Sequence, residues 1–188
     1  MSMPATEFFS ADMVRALPED GKRYETVYGE LFVTPAPRQP HQAIRRELFL
    51  ALGNYLKFER LGGLFSSHAD ISWGPDILVQ PDLFVADNDE IGPSEGWTEI
   101  QTLHLAIEIL SPSTLRTDRF TKRRLYQEHQ VATYWIVDLD HTQVDVWTPE
   151  AVFPLVERER LTWRHPQGRT GCAIDLKELF ALATGGPG

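Results

Sequence analysis

Three short stretches carry side chains that could do chemistry together: LHLAIEILSPST (Leu103 to Thr114), PDLFVADN (Pro81 to Asn88) and TDRFTKRRLYQEH (Thr117 to His129). In the first, Glu108 sits between Ile107 and Ile109. An ionised carboxylate in so apolar a run either faces water at a sheet edge or needs a cation, a metal or a raised pKa. Asp82 follows Pro81 where an apolar run resumes. A Pro-Asp pair also suits a plain turn whose carboxylate bonds nearby amides. Lys122 lies on the inward face of a helix: at about 100° per residue from Asp118, one sector holds Leu125, His129, Lys122 and Tyr126. A lysine there either snorkels to the rim or meets an anion. Two acids on neighbouring strands beneath one lysine would suit Mg²⁺ or Mn²⁺, hard cations that take oxygen ligands and stabilise charge on a phosphodiester. The Ile109 carbonyl could add a ligand. The lysine would orient or deprotonate the attacking water, or stabilise the pentavalent transition state. On this reading Lys122→Ala abolishes cleavage and leaves the fold intact.

These positions require a sheet with helices against it. Alternation puts Leu103, Leu105, Ile107 and Ile109 on one face and His104, Ala106, Glu108 and Leu110 on the other. Both faces are largely apolar, as in a strand covered on both sides. The SPST block ends that strand, because proline removes a ladder donor, and a helix is predicted from Thr117 or Asp118 to Gln130. Upstream, Ser10 to Leu17 predicts a short helix, RYETVYGELFVTPAP a hairpin, and His41 to about Arg60 the main N-terminal helix. SSHADISW predicts one strand, and ILVQPDLFVAD one or two broken at Pro81. After a polar loop around Gly92 to Gly96 and the Glu108 strand and its helix, TYWIVDLD and QVDVWT predict two strands joined at Asp140-His141-Thr142. A strand near Phe153 to Glu157 and a helix over Leu176 to Ala183 close the chain. The order implies one α/β (α+β) domain over 1–188, a mixed central sheet flanked by helices.

Composition narrows the function. The net charge of −9 argues against a simple nucleic-acid binder, which needs an excess of Lys and Arg, but not against an enzyme whose carboxylates hold cations. Arg116, Arg119, Lys122, Arg123 and Arg124 would form a local cationic surface on this acidic protein. The one cysteine, Cys172, rules out an internal disulfide and a multi-cysteine zinc site. No apolar run approaches a membrane span, and the first residues lack a signal-peptide pattern, so a soluble cytoplasmic protein is expected.

The pattern Pro81-Asp82, then Ala106-Ile107-Glu108-Ile109-Leu110, SPST, Asp118-x-x-x-Lys122 and Tyr134-Trp135-x-Val137-Asp138 resembles the Uma2 family of restriction-endonuclease-like proteins. YGELFVTPAP followed by His41 is similar to that family's opening segment, so the likeness covers most of the chain. The resemblance implies the PD-(D/E)XK nuclease fold, with a four-stranded mixed core sheet between helices. It also implies a Mg²⁺- or Mn²⁺-dependent endonuclease acting on nucleic acid, DNA first. Asp82, Glu108 and Lys122 would be catalytic, with Asp82 and Glu108 holding the metal. The superfamily pattern would place its lysine on the strand at Leu110. The Uma2 type is similar in drawing it from the following helix, where Lys122 is the matching position.

Glu30, His41, His68, Asp70 and Tyr126 are further candidates. Asp70 joins only if hairpin parity puts it on the face of Asp82. Trp73, Trp97, Trp135, Trp147 and Trp163 read as core or interface rather than base-stacking platforms. Two other readings compete: a non-catalytic binding or assembly module on the same fold, marked by an Asp82, Glu108 and Lys122 cluster closed to solvent, and a two-carboxylate glycosidase, which leaves Lys122 unexplained. A homodimer or another partner would supply a basic groove to an acidic DNA enzyme.

Overall fold

The strand carrying Glu108 lies inside the central sheet, with neighbours on both sides. A computed structural model describes residues 7–66, 69–88 and 100–183. In chain order it contains α1 (Ala11–Arg15), β1 (Arg23–Val27), β2 (Glu30–Thr34), α2 (Gln39–Glu59), β3 (Gly63–Ser66), β4 (Ile71–Gly74), β5 (Ile77–Val79), β6 (Leu83–Ala86) and β7 (Leu105–Ile109). A π-helical turn, Thr117–Lys122, runs into α3 (Arg123–Glu128). Then come β8 (Tyr134–Asp138), β9 (Gln143–Trp147), β10 (Leu155–Glu157), β11 (Arg160–Trp163), β12 (Cys172–Asp175) and α4 (Leu176–Ala183).

The main sheet has six strands in the order β10-β9-β8-β7-β6-β3, two more than the core expected from the resemblance. β7 and β8 are its parallel pair; parallel neighbours need a crossover, which the π-turn and α3 provide. A smaller antiparallel sheet, β2-β1-β5-β4, packs alongside, and β11 pairs with β12. SSHADISW is not one strand: Ser66 ends β3 in one sheet and Ile71 starts β4 in the other. Ser67 and the candidate His68 lie outside the described residues, as do Trp97 and the predicted loop at 92–96.

Alternation along β7 divides the core in two. Leu105, Ile107 and Ile109 pack with Ile44, Leu48 and Leu52 of α2 and with α4 and the β11–β12 hairpin. Ala106 packs on the opposite side with Leu125 and Tyr126 of α3 and Ile71 and Val79 of the small sheet. No aqueous face is left for Glu108, which is fully buried. Among the tryptophans, Trp135 and Trp163 are buried, while Trp73 and Trp147 are half-buried. Cys172 is a buried free thiol. No helix among the described residues is long and apolar enough to cross a membrane.

The cationic helix surface expected from the sequence is largely spent on structure. Arg119 pairs with Asp138 and, at 2.6 Å, with Asp145; Arg123 lies over the Trp147 ring, and Arg124 pairs with Glu128 at 2.7 Å. Asp138 and Asp145 are buried. Arg119→Met would remove the cation between them, leaving Asp138 to His141 and Asp145 to Gln143, and is expected to cost about 1–2 kcal/mol, less than a fully enclosed pair because those bonds remain and the arginine is partly solvated. Urea denaturation measures it.

Candidate active site

Continuing the antiparallel register Leu83↔Ile107 by one residue sets Asp82 opposite Glu108. The Ile109 amide donates to Asp82 Oδ2 at 2.8 Å, which fixes the carboxylate at the strand end. Lys122 is enclosed, 1% exposed, instead of snorkelling outward. Its Nζ lies 2.9 Å from Glu108 Oε1, 2.8 Å from Glu25 Oε2 and 3.5 Å from Asp118 Oδ1. The π-helical turn carries both Asp118 and Lys122; such turns are rare and recur at functional sites.

Lys122 does not bridge to Asp82 in this structure. Asp82 is held by Arg23, whose Nη1 lies 2.9 Å from Oδ1, and by His41, whose Nε2 lies 3.1 Å from Oδ2. The same guanidinium is 3.6 Å from Glu25 and 3.9 Å from Glu108, so it joins the two halves of the cluster. Tyr126 donates to Glu108 Oε1 at 3.1 Å. Of the other candidates, Glu30 is exposed, and half-buried Asp70 instead accepts from Gln80 at 2.5 Å.

Arg23, Glu25 and Asp118 were not singled out as site residues from the sequence. One signal existed: Arg23 and Glu25 share strand phase with Val27, which is wholly buried. Gln80 N–H donates to Glu25 Oε1 at 2.7 Å, which ties β1 to the segment before Asp82.

Four buried carboxylates, Glu25, Asp82, Glu108 and Asp118, thus face two permanent cations, Lys122 and Arg23. The excess of two negative charges appears in the protonation. Burial pushes Glu108 up to about 8, with Asp118 and Asp82 adding repulsion that Lys122 and Arg23 only partly offset. Burial also raises Asp118, against Lys122. Burial opposes ionisation of Asp82 too, but Arg23, His41 and the Ile109 amide outweigh it and hold Asp82 well below the ordinary range. Burial would lower Lys122, yet Glu108, Glu25 and Asp118 override it and keep the amine protonated. Lys122 thus stands as a cation among three acids.

The donor set suits a hard divalent cation. Glu108 Oε2 and Asp118 Oδ1 are buried without hydrogen-bond partners among the described residues, where four carboxylates face two fixed cations. A cleft of about 660 Å³ opens beside the cluster, and its wall includes Asp82, His41, Arg23 and the SPST block. Glu108 and Lys122 do not line it. Lys22, Arg38 and Arg45 do, together with Asp140, and Lys22 is paired with Asp20 at 2.7 Å.

Residues 11–170 match the family Uma2, described as "Putative restriction endonuclease". A crystal structure of a putative nuclease belonging to DUF820, from Anabaena variabilis, superposes with a TM-score of 0.77 at 25% sequence identity, covering 93% of this chain and 99% of that one. No curated protein matches.

Proposed function

Because the chain belongs to the Uma2 family, we propose that it is a Mg²⁺- or Mn²⁺-dependent endonuclease hydrolysing phosphodiester bonds in nucleic acid, DNA first. The observation that carries this reading is a buried cluster of four carboxylates against two fixed cations, beside a cleft lined by Lys22, Arg38 and Arg45. Asp82, Glu108 and the Ile109 carbonyl would hold the ion, which when bound supplies charge for the phosphoryl oxygens and a more acidic water. Lys122 fixes Glu108 and Glu25 through its two short contacts and keeps positive charge near the reacting phosphate. Lys22, Arg38 and Arg45 would take the flanking phosphates.

Arg23 now sits where its guanidinium neutralises Asp82 and Glu108 together. It competes with any cation at those oxygens. Arg23→Met is expected to raise Mn²⁺ affinity about tenfold, the equivalent of about 1.4 kcal/mol, in calorimetric titration. An unchanged or weaker affinity would count against ion binding between these two acids.

The deciding experiment is cleavage of a panel of DNA and RNA substrates by the purified chain with Mg²⁺ or Mn²⁺, beside Asp82→Asn. The variant should lose about a hundredfold or more in rate. A wild type that cuts nothing, or a variant that cuts as well, sinks the proposal.

One observation favours a second reading, a binding module that does no chemistry. Glu108, Asp118 and Lys122 are at most 1% exposed and stand behind Arg23 rather than on the cleft. On that reading Mn²⁺ does not bind, with or without Arg23, while the protein stays folded and still retains nucleic acid at low salt.

A further inference from the structure

A second group of metal-binding side chains converges at the other end of β6. Five residues from Asp82, about 17 Å at the usual strand rise, Asp87 leaves that strand beside His104, which precedes β7, and His165, which follows β11. His104 Nε2 lies 3.0 Å from Asp87 Oδ2, and His165 Nε2 lies 4.0 Å from Asp87 Oδ1. The two imidazole centroids are 4.3 Å apart, and one ligand atom from each of the three residues falls within 4.8 Å of the others.

Both rings are buried, His165 completely and His104 to 8% exposure. Neither Nε2 has a hydrogen-bond partner among the described residues; the 3.0 Å approach of Asp87 to His104 lacks hydrogen-bond alignment. Two buried imidazole nitrogens pointing at one carboxylate, each without the bond that would offset its desolvation, call for a common partner.

We infer that Asp87, His104 and His165 bind a divalent transition-metal ion of the Zn²⁺ class, which ties the β11–β12 hairpin to the end of β6 and the start of β7. Two imidazoles and one carboxylate are the donor set of borderline-soft Zn²⁺, whereas the acids around Asp82 offer only oxygen, the donor set of Mg²⁺ or Mn²⁺. The Asp87 side chain is 30% exposed, which gives the ion an approach from solvent and leaves the fourth position to water. Binding also makes a tautomer demand. The Gln167 amide donates to His165 Nδ1 at 3.2 Å, so the neutral ring carries its proton on Nε2. Ligation through Nε2 moves that proton to Nδ1, and the Gln167 contact must open.

The site is separated from the acidic cluster by working in an Asp82→Asn/Glu108→Gln background of the full chain, stripped with chelator and titrated with ZnCl₂. One Zn²⁺ should bind per chain, and at a hundredfold excess over the dissociation constant the melting temperature should rise by about 5–10 °C. Co²⁺ in its place should give visible d–d bands, and the Gln167 amide resonance should move on Zn²⁺ addition. Asp87→Asn, at a partly exposed position that spares the core, should weaken Zn²⁺ about a hundredfold or more, and His104→Gln likewise. If the background protein takes up no Zn²⁺, if Asp87→Asn binds it as tightly, or if the Gln167 resonance stays in place, the histidines merely pack on each other and the inference fails.

Discussion

Replacing Lys122 with methionine is expected to lower the unfolding free energy by about 3–5 kcal/mol, because it leaves Glu25, Glu108 and Asp118 buried around a missing cation. Sequence alone suggested a variant that loses activity and keeps its fold; burial of the amine changes that expectation. Methionine preserves most of the side-chain volume, so the loss reports charge and not a cavity. Adding Glu108→Gln should restore at least about 1 kcal/mol, since glutamine needs neither the lysine nor the proton that Glu108 must otherwise keep at pH 7.5 and the unfolded chain has released, and the non-additivity measures the pair directly. Urea denaturation at pH 7.5 of the wild type, both single variants and the double variant gives all four numbers. A Lys122→Met protein as stable as the wild type would mean that the amine is not enclosed by those acids in solution. Where the variant is destabilised as expected, its loss of activity cannot be credited to chemistry alone. Asp82→Asn is the cleaner catalytic probe, because Arg23 keeps its acceptor and His41 a partner, and the one bond given up is that from the Ile109 amide.

What could be read from the sequence was what depends on local period. LAIEI left no polar face for Glu108, and the helical sector holding Leu125 and Tyr126 also held Lys122; the structure buries all four. Asp118 shares that sector at helical spacing, but nothing in TDRFTK distinguishes a π-turn from an α-turn. Arg23 and Glu25 stayed hidden for a different reason. In a two-stranded hairpin a charged residue can always face water, and only the pairing of β1 with β5, Thr26 opposite Leu78, folds that face inward. That contact spans half a hundred residues and leaves no periodic trace. The β11–β12 hairpin is the parallel case: each strand alternates buried and exposed, but both are only four residues long. His104 and His165 meet because that hairpin folds back on the sheet, so their approach was equally invisible. The excess of carboxylates over cations, on which the proposed metal site rests, is likewise a sum over four separate segments.

Glu108→Gln should hold the fold as well as the wild type at pH 5 and better at pH 8, while losing cleavage. The sign follows from its titration. Glu108 is pushed from an ordinary glutamate up to about 8 by burial and by Asp118 and Asp82. Between the unfolded value near 4.5 and about 8, the folded chain keeps a proton that the unfolded chain has released, so this group removes stability as pH rises through that window. Each pH unit of such a gap is worth about 1.4 kcal/mol at most, giving a difference of a few kcal/mol once Asp118 and Lys122 share the proton and the charge. Asp82, held low by Arg23, contributes with the opposite sign and loses stability as pH falls, but it is present in both proteins and cancels in the comparison. The quantity to follow is therefore the stability of Glu108→Gln minus that of the wild type, by urea denaturation in chelator at pH 5, 6, 7 and 8. It should be near zero at the acid end and grow steadily to pH 8. Saturating Mn²⁺ should reverse the order at pH 8, because the ion replaces the proton in the wild type and finds one carboxylate fewer in the variant. A glutamine variant that is less stable at every pH in chelator would show that Glu108 is ionised and well paired by Lys122, with no charge deficit left for a metal to fill.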